Sequence, residues 1–212
     1  MRFSLLSEHK HFFDTHHFIE LEGLLSMPQI TKLRHALFTT LTKRPPKKTL
    51  FQCSYNLSFE SAPIKRVTHK PEFASLAAEL FHTPSIRFAF DQTVCIQEAC
   101  PSPFKQGTPL QEACCLSPLL GALILPLEDL AAPLPFFPLP SKAGNALFIH
   151  ATLPLPWEQL FATAGVYFLM IGYCAKKTLF KADTQDPHAV TLKQAGYVFN
   201  EPLKDSTHAL LV

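Results

Sequence analysis

The sequence predicts an α+β fold in which helices come first and a mostly antiparallel double sheet follows, as in a sandwich or barrel. Helical spacing of apolar residues is confined to the chain before Pro84, and short apolar runs separated by prolines follow it. The composition agrees, because 19 prolines against 7 glycines favour short strands over long helices. The 19 phenylalanines supply bulk for a core between sheets.

Three helices are predicted, over 8–15, 27–42 and 71–81. Ser26 and Gln29 have the spacing of a capping box in front of the second helix. The apolar residues of this helix recur every three or four positions, which places them on one buried face. The third helix has the same periodicity and begins with a proline, which suits the first turn of a helix. The helices are therefore expected to pack outside the sheets.

Short strands are predicted from two patterns. Residues 18–21 alternate between apolar and polar, as a half-buried strand does, and 86–97 alternates in its first half. Nearly continuous apolar runs predict the remaining strands, at 119–127, 134–137, 145–150 and 165–173. We therefore expect one domain over 1–212, with a helical part to about residue 84, a β core over about 85–175 and a C-terminal tail over 176–212.

Composition and charge argue against several function classes. The net charge of +2 is too small to indicate nucleic-acid binding, and the basic clusters in 43–48 and 65–70 are interpreted as solvated loop charge. The uncharged run 159–175 is shorter than a membrane span, and residues 1–10 lack the apolar region of a signal peptide. The six cysteines form no C-x-x-C pair, so we expect reduced thiols and a cytoplasmic protein without membrane insertion.

Five segments, taken in order, carry a resemblance to a known family. They are FFDTHHFIELEGLLSMPQITKLRHAL (12–37), IRFAFDQTVCIQ (86–97), LPFFPLPSKAGNALFIH (134–150), GVYFLMIGYCAKK (165–177) and KQAGYVFNEPL (193–203). In this order they resemble the phytanoyl-CoA dioxygenase-like proteins, which are similar to Fe(II)- and 2-oxoglutarate-dependent oxygenases. The resemblance implies a double-stranded β-helix, a cupin-like jelly roll with helices packed on one side. It also implies an iron held by His-x-Asp or His-x-Glu and a distal histidine, with a basic residue that pairs with 2-oxoglutarate.

The sequence lacks the parts that this resemblance implies. None of the ten histidines is followed two positions later by Asp or Glu, and the matching stretch is 110–112, Leu-Gln-Glu. The distal ligand region is 154–156, Pro-Leu-Pro, and no Lys or Arg occurs over 143–175. A buried carboxylate of 2-oxoglutarate would therefore have no cation, at a cost of several kcal/mol. We expect no metal, no cofactor and no catalytic residues. The candidates for the former pocket are Asp91, Gln92, Leu110, Gln111, Glu112 and His150.

The histidine-rich opening HKHFFDTHH (9–17) is a second candidate metal site. His11, Asp14 and His17 are spaced along roughly one face of a helix. The pattern changes from helix to strand near His17, which would carry that side chain off the shared face. We therefore interpret these residues as exposed or partly packed histidines on a surface helix.

Two adjacent cysteines, Cys114 and Cys115, are a candidate nucleophile pair with His150 as the base. Paired cysteines in an apolar strand are more typical of a core, so we interpret them as core residues. Across the rest of the sequence there is no P-loop, no G-x-S-x-G, no G-x-G-x-x-G and no H-E-x-x-H motif.

Three functions follow from these observations. The first is a non-catalytic relative of the oxygenases that binds a small molecule or a protein. The second is an active enzyme, a dioxygenase-like hydroxylase with an altered site that uses Glu112 and His150. The third is a nucleic-acid or regulatory protein that uses the basic clusters. For the first, the sequence predicts a narrow, apolar barrel mouth without a metal at its centre, where burial would raise the pKa of Glu112 if its side chain points inward.

Overall fold

One five-stranded antiparallel sheet organises the fold in a computed structural model that describes residues 4–44, 54–181, 186 and 188–212. Its strands are β1 (Phe18–Leu21), β2 (Arg87–Ile96), β3 (Leu116–Pro126), β4 (Ala146–His150) and β5 (Val166–Phe180). They lie in the order β1–β4–β3–β5–β2, and each neighbouring pair is antiparallel. Together with the helices this confirms the predicted α+β class.

The helices are α1 (Ser7–His16), α2 (Met27–Leu41), α3 (Ala62–Thr68), α4 (Pro71–Leu80), α5 (Leu110–Ala113), α6 (Trp157–Ala162) and α7 (Ala189–Gln194), with a 3-10 turn at Leu57–Phe59. The three predicted helices are confirmed as α1, α2 and α4, with ends that differ by at most one residue. The remaining helices are too short to give a clear apolar period, so the sequence did not predict them. Among the described residues, no helix combines the length and the apolar character that a membrane span requires.

Apolar side chains cover both faces of the sheet. The long helices pack on one face, where Phe13 of α1 and Phe73 of α4 share a core with Phe148 of β4. The other face carries a second core, in which Ile149 of β4 lies with Trp157 of α6. Successive residues of a strand point to opposite faces, so a strand buried on both sides needs apolar residues at nearly every position. This burial explains the continuous apolar runs in the sequence.

The predicted second sheet is not formed by regular strands in the described residues. The run 134–137 is a predicted strand but lies in an irregular segment, because the prolines at 133, 135 and 138 each remove a backbone donor that a sheet needs. The layer over this face consists instead of α5, α6, α7 and irregular segments. Isolated bridges, such as Pro109–Pro154 and Leu179–Pro202, occur within this layer. Strand β5 continues to Phe180, into the region predicted as the tail.

Strand β2 lies at the edge of the sheet, yet its outer backbone groups are paired. Near its start, the Ile86 N–H donates to the Val212 carbonyl at 3.0 Å, and the Leu211 N–H returns to the Ile86 carbonyl at 2.8 Å. In its second half, the Thr93 N–H donates to the Ser54 carbonyl at 2.9 Å. All ten residues of β2 are buried, so unpaired groups here would be costly. Two short segments, 54–56 and 209–212, therefore complete the sheet at this edge.

Gly121→Ala should destabilise the fold because β3 and β4 leave no space for a side chain at this position. A Cβ atom there would lie 2.1 Å from the Ile149 carbonyl oxygen and 2.5 Å from the Phe81 ring. We expect the free energy of unfolding to fall by about 3 kcal/mol, measured by chemical denaturation. The control is Gly196→Ala, where φ is +86° but a Cβ atom has open space. This control should cost only about 1 kcal/mol, and equal losses would contradict the explanation.

Candidate functional site

A small cavity lies between the sheet and the layer that covers the face opposite the long helices. Its apolar walls are formed by Phe90, Val94, Phe104, Leu110, Trp157 and Met170. A polar group of side chains is contributed by Tyr55, Gln92, Cys114, Asp186 and His188. The volume open to the centre of a water-sized sphere is about 20 Å³. This space holds about one water molecule.

The strand β2 supplies one wall of the cavity through alternate residues. Phe90, Gln92 and Val94 point into it, because residues two apart on a strand share a face. The Phe90 ring lies directly against Gly172 of β5, where a Cβ atom would be 2.4 Å from the ring. On the opposite wall, the Trp157 Nε1–H donates to the Thr108 carbonyl at 2.8 Å, which fixes the indole. The walls are therefore set by close packing.

The polar end of the cavity is organised around the His188 imidazole. The ring lies face to face with the Tyr55 ring, with centroids 3.4 Å apart and planes 9° apart. Its Nε2 atom is 3.2 Å from Gln92 Oε1, a distance that fits a donated N–H. The Gln92 amide in turn donates to Ser54 Oγ at 2.5 Å and to the Thr93 carbonyl at 3.0 Å. Gln92 thus connects the imidazole to the edge segment 54–56.

The Asp186 carboxylate is occupied by backbone donors. Its Oδ2 accepts the Cys115 N–H at 2.9 Å, and its Oδ1 accepts the His188 N–H at 2.9 Å. Burial raises the pKa of Asp186, and these hydrogen bonds act in the opposite direction. The carboxylate therefore links the His188 backbone to the Cys115 backbone, next to the start of β3.

Tyr55 has a buried hydroxyl for which the described residues provide no hydrogen-bond partner. Only 5% of the residue is exposed. Burial raises the pKa of Tyr55 well above its usual value, and the nearby Cys115 and Asp186 raise it further. The tyrosine is consequently a neutral phenol with an unused donor at the cavity.

Asp91, a predicted pocket residue, lies on the opposite face of β2 from Gln92. Its carboxylate accepts the Leu57 N–H at 2.8 Å and the Ser58 N–H at 3.2 Å, so it holds the segment that carries Tyr55. Burial raises the pKa of Asp91 to about 6, while backbone hydrogen bonds and the Arg44 guanidinium oppose the rise. Asp91 positions the cavity wall without entering the cavity.

Arg44 supports the same segment from outside. Its guanidinium donates to the Tyr55 carbonyl at 2.6 Å and to Glu60 Oε1 at 2.7 Å. The sequence analysis interprets Arg44 as part of a solvated basic cluster. In the structure these contacts bury most of its side chain. Lys47 and Lys48 of the same cluster lie outside the described residues.

The predicted ligand stretch 110–112 forms the helix α5. Leu110 is buried and lines the cavity, whereas Gln111 and Glu112 are exposed. Residues two apart on a helix point in different directions, so positions 110 and 112 do not share a face as they would on a strand. Glu112 therefore does not point into the cavity.

His150 projects from the face of β4 that carries the long helices. Its ring lies beside Phe13 and Phe81, and its Nδ1 is 2.7 Å from Thr152 Oγ1. It therefore shares no site with Glu112, and it is on the wrong face to serve Cys114 as a base. Of the six predicted pocket residues, Gln92 and Leu110 line the cavity and the other four do not.

The two adjacent cysteines are both buried, with Cys114 at the cavity wall. A hydrogen bond with Cys114 and burial raise the pKa of Cys115 far above its usual value. A raised thiol pKa disfavours the thiolate, which is the nucleophilic form. This environment supports the interpretation of the pair as core residues.

The histidine-rich opening does not assemble a ligand set. Among the described residues, no group of three or more His, Cys, Asp or Glu side chains is placed to hold a metal ion. Asp14 Oδ1 instead lies 2.8 Å from Nε2 of His82, and His17 follows the end of α1 with a left-handed φ of +64°. The predicted departure from the helix at His17 is confirmed.

Reasoning from the sequence missed most of the described lining residues, among them Tyr55, Trp157, Asp186 and His188. Asp186-Pro187-His188 contains a carboxylate and an imidazole two positions apart, in the reverse order of the His-x-Asp pattern. Trp157 is the only tryptophan in the chain. Neither of these two sequence features predicts that the residue packs against the sheet at the cavity.

Comparison with known proteins identifies the fold. No family model and no curated protein match the sequence. The non-heme α-ketoglutarate-dependent carbocyclase SnoK of nogalamycin biosynthesis matches with a TM-score of 0.74 and 12% identity, over 98% of this chain and 97% of its own. The α-ketoglutarate-dependent epimerase SnoN matches with a TM-score of 0.71 and 14% identity, over 97% and 98%. CT296 from Chlamydia trachomatis matches with a TM-score of 0.54 and 21% identity, over 82% and 99%.

This chain has the fold of the non-heme α-ketoglutarate-dependent enzymes. At these identities the similarity shows the fold alone, and it bears out the predicted likeness to the fold of the 2-oxoglutarate-dependent enzymes. The fold implies iron and 2-oxoglutarate (α-ketoglutarate), but the described cavity residues do not fit either group. The described cavity has a carboxylate, Asp186, and an imidazole, His188. Both side chains make hydrogen bonds to other residues of the same chain. No Lys or Arg lines the described cavity.

Asp91→Asn should change the pH dependence of stability. The pKa of Asp91 rises from 3.8 to about 6 in the folded chain, so the folded state binds this proton more tightly than the unfolded state. The free energy of unfolding of the wild type, relative to that of the variant, should fall by roughly 3 kcal/mol as pH rises from about 4 to 6, and stay level above.

Urea denaturation at several pH values measures this difference. Glu112→Gln, which removes an exposed carboxyl, is the matched control for the loss of one negative charge. A difference curve for Asp91→Asn that is flat between pH 4 and 6 would contradict the assignment.

Proposed function

We propose that this protein is a non-catalytic relative of the Fe(II)/2-oxoglutarate-dependent oxygenases, of phytanoyl-CoA dioxygenase-like type, that acts as a binding or interaction protein. The observation that carries the proposal is the use of Asp186 and His188, the acid and the histidine of the cavity, in contacts within the chain. We further propose a single domain built on a degenerate double-stranded β-helix, in a cytoplasmic protein.

The donor set of the cavity argues against a resident iron. A facial triad needs two histidines and one carboxylate with open positions. Here one imidazole and one carboxylate are present, and both Asp186 oxygens accept backbone N–H groups at 2.9 Å. A metal at Asp186 would have to share the carboxylate with these two hydrogen bonds, and the described cavity offers one histidine where a triad needs two.

The electrostatics of the cavity argue against 2-oxoglutarate as a cosubstrate. The cavity walls are mainly apolar, and the lining residues that the structure describes include Asp186 but no Lys or Arg. Among the described lining residues, a dianion would find no compensating charge for its lost hydration. The same features suit a neutral small molecule or a protein partner better than an anion.

The alternative, an active enzyme that uses Glu112 and His150, receives no support from the geometry. Glu112 is exposed on α5, while His150 lies against Phe13 on the helical face. Neither residue lines the cavity. The nucleic-acid alternative is also weakened, because Arg44 is engaged with Glu60 and the backbone of Tyr55.

Isothermal titration with Mn(II) and 2-oxoglutarate tests the proposal. Mn(II) stands in for Fe(II) without the risk of oxidation. We expect no saturable heat for either compound up to millimolar concentration, because the described lining residues form neither a triad nor a cationic site. The positive control is an active α-ketoglutarate-dependent enzyme under the same conditions. Cooperative binding of metal and 2-oxoglutarate in the micromolar range would overturn the proposal.

The double substitution Leu110→His and Glu112→Asp should not restore turnover of 2-oxoglutarate to succinate. On the helix α5 the two new ligands would point in different directions, and the distal ligand and the cation would still be absent. Succinate formation by mass spectrometry is the measurement, with circular dichroism as a check of folding. Succinate produced by this variant would show that our assignment of the site is wrong.

A further inference from the structure

A hydrogen-bonded turn at 198–201 presents two large apolar side chains to solvent. Val198 and Phe199 are 66% and 62% exposed, whereas Tyr197 just before them is buried. Together with Val190 of α7, they are the three most exposed large apolar residues in the part of the chain that the structure describes. One exposed apolar residue is ordinary on a protein surface, but neighbouring ones mark a contact surface.

Hydrogen bonds fix the backbone of this turn. Within it, the Glu201 N–H donates to the Val198 carbonyl at 3.0 Å, and the Val198 N–H donates to Glu201 Oε2 at 2.9 Å. Towards β5, the Asn200 N–H donates to the Phe180 carbonyl at 2.9 Å, and the Phe180 N–H donates to the Glu201 carbonyl at 3.0 Å. The φ of Asn200 is +62°, a left-handed conformation that asparagine tolerates in turns. The apolar side chains are therefore presented from an ordered backbone, so a contact through them costs little further ordering.

Two exposed lysines lie beside the turn. Lys181 directly follows Phe180, whose backbone pairs with the turn. Lys193 lies in the last turn of α7, and its carbonyl accepts the Gly196 N–H at 3.0 Å, two residues before the turn begins. A lysine side chain carries its charge at the end of a long flexible stem. Both ammonium groups can therefore be held at the level of the exposed apolar side chains.

The acidic side chains within 201–205 do not cancel this charge. Glu201 Oε1 lies 3.0 Å from Lys204 Nζ, and Asp205 Oδ1 lies 2.6 Å from Arg87 Nη1. Each of these acids is therefore balanced by a cation of its own. The two lysines beside the turn form no ion pair with another residue that the structure describes. Positive charge is thus available next to the apolar side chains.

Apolar side chains beside lysines suit the surface of an anionic membrane. The apolar groups enter the boundary between headgroups and acyl chains, and the lysines stay at the level of the negatively charged headgroups. A protein partner fits less well, because lysine is depleted in protein interfaces. One exposed turn also supplies little of the roughly 800 Å² that each protein contributes to a stable interface.

We propose that the turn 198–201 is a peripheral anchor for an anionic phospholipid surface. Val198 and Phe199 enter the interfacial region, and Lys181 and Lys193 contact the anionic headgroups. Tyr197 belongs to the core opposite the long helices, so the contact lies on that side of the sheet. The sequence argues against a membrane span, and this contact needs none. The inference goes beyond the proposed function and does not depend on it.

The experiment is sedimentation of the full chain with lipid vesicles. One set consists of equal parts of phosphatidylcholine and phosphatidylserine, and the other of phosphatidylcholine alone. We expect saturable binding to the anionic vesicles and binding at least about tenfold weaker to the neutral ones. Added salt should weaken the binding to the anionic vesicles, because it screens the lysines.

Phe199→Ser removes the larger apolar side chain of the turn and should weaken binding to the anionic vesicles about tenfold. The matched control is Leu6→Ser. Leu6 is 58% exposed and precedes α1, which packs on the other face of the sheet. This control should bind as the wild type does, and circular dichroism checks that both variants are folded.

Lys181→Gln combined with Lys193→Gln removes the charge beside the turn and should also weaken binding about tenfold. The matched control is Lys32→Gln combined with Lys65→Gln. These two lysines are exposed on α2 and α3, which pack on the helical face. The control removes the same net charge and should weaken binding less than about twofold.

The inference is overturned if the wild type does not bind the anionic vesicles. Equal losses in a variant and its matched control also overturn it, because they place the contact elsewhere or reduce it to net charge. If Phe199→Ser does not fold, the two double lysine variants decide. Light scattering after size-exclusion chromatography tests a second copy of the chain as the occupant. A wild-type dimer that Phe199→Ser converts to a monomer would assign the turn to self-association and overturn the inference.

Discussion

The backbone of β2 sets the constraint on which the cavity depends. This strand is at the edge of the sheet but is buried along its whole length, so its outward N–H and C=O groups need partners within the protein. The segments 54–56 and 209–212 provide them. Tyr55 reaches the cavity because its neighbours pair with β2, and Asp91 and Arg44 hold the segment in that position. A requirement of backbone pairing thus places a side chain at the candidate site.

Hydrogen bonds to the backbone also account for the buried charges of the interior. Asp91 and Asp186 are both buried carboxylates, and each accepts two backbone N–H groups. Such carboxylates link separate segments of chain, at the cost of an elevated pKa. In an α-ketoglutarate-dependent enzyme the polar groups of the interior are needed for metal and cosubstrate. In this protein the two buried carboxylates instead join separate segments of the chain.

The sequence predicts well those helices and strands in which the pattern of apolar residues extends over many positions. Helices α1, α2 and α4 follow from an apolar stripe. Strand β2 follows from alternation, and β3 to β5 follow from apolar runs. The prediction failed at 134–137, where composition suits a strand but proline prevents pairing. At 110–112, which the resemblance matches to the metal-ligand motif, the chain instead forms one turn of helix, and Glu112 points outward. Short segments carry too few residues for a period to be recognised.

The sequence by itself determined the α+β class, the principal helices and strands, and the absence of a His-x-Asp motif and of a basic residue over 143–175, because these are local patterns and residue types. Only the tertiary structure decided which side chains share the cavity. Tyr55, Trp157 and His188 are far apart along the chain and are brought together by the pairing of β2 and by the return of the C-terminal segment. Contacts between distant segments depend on the packing of the whole chain, so no local pattern specifies them.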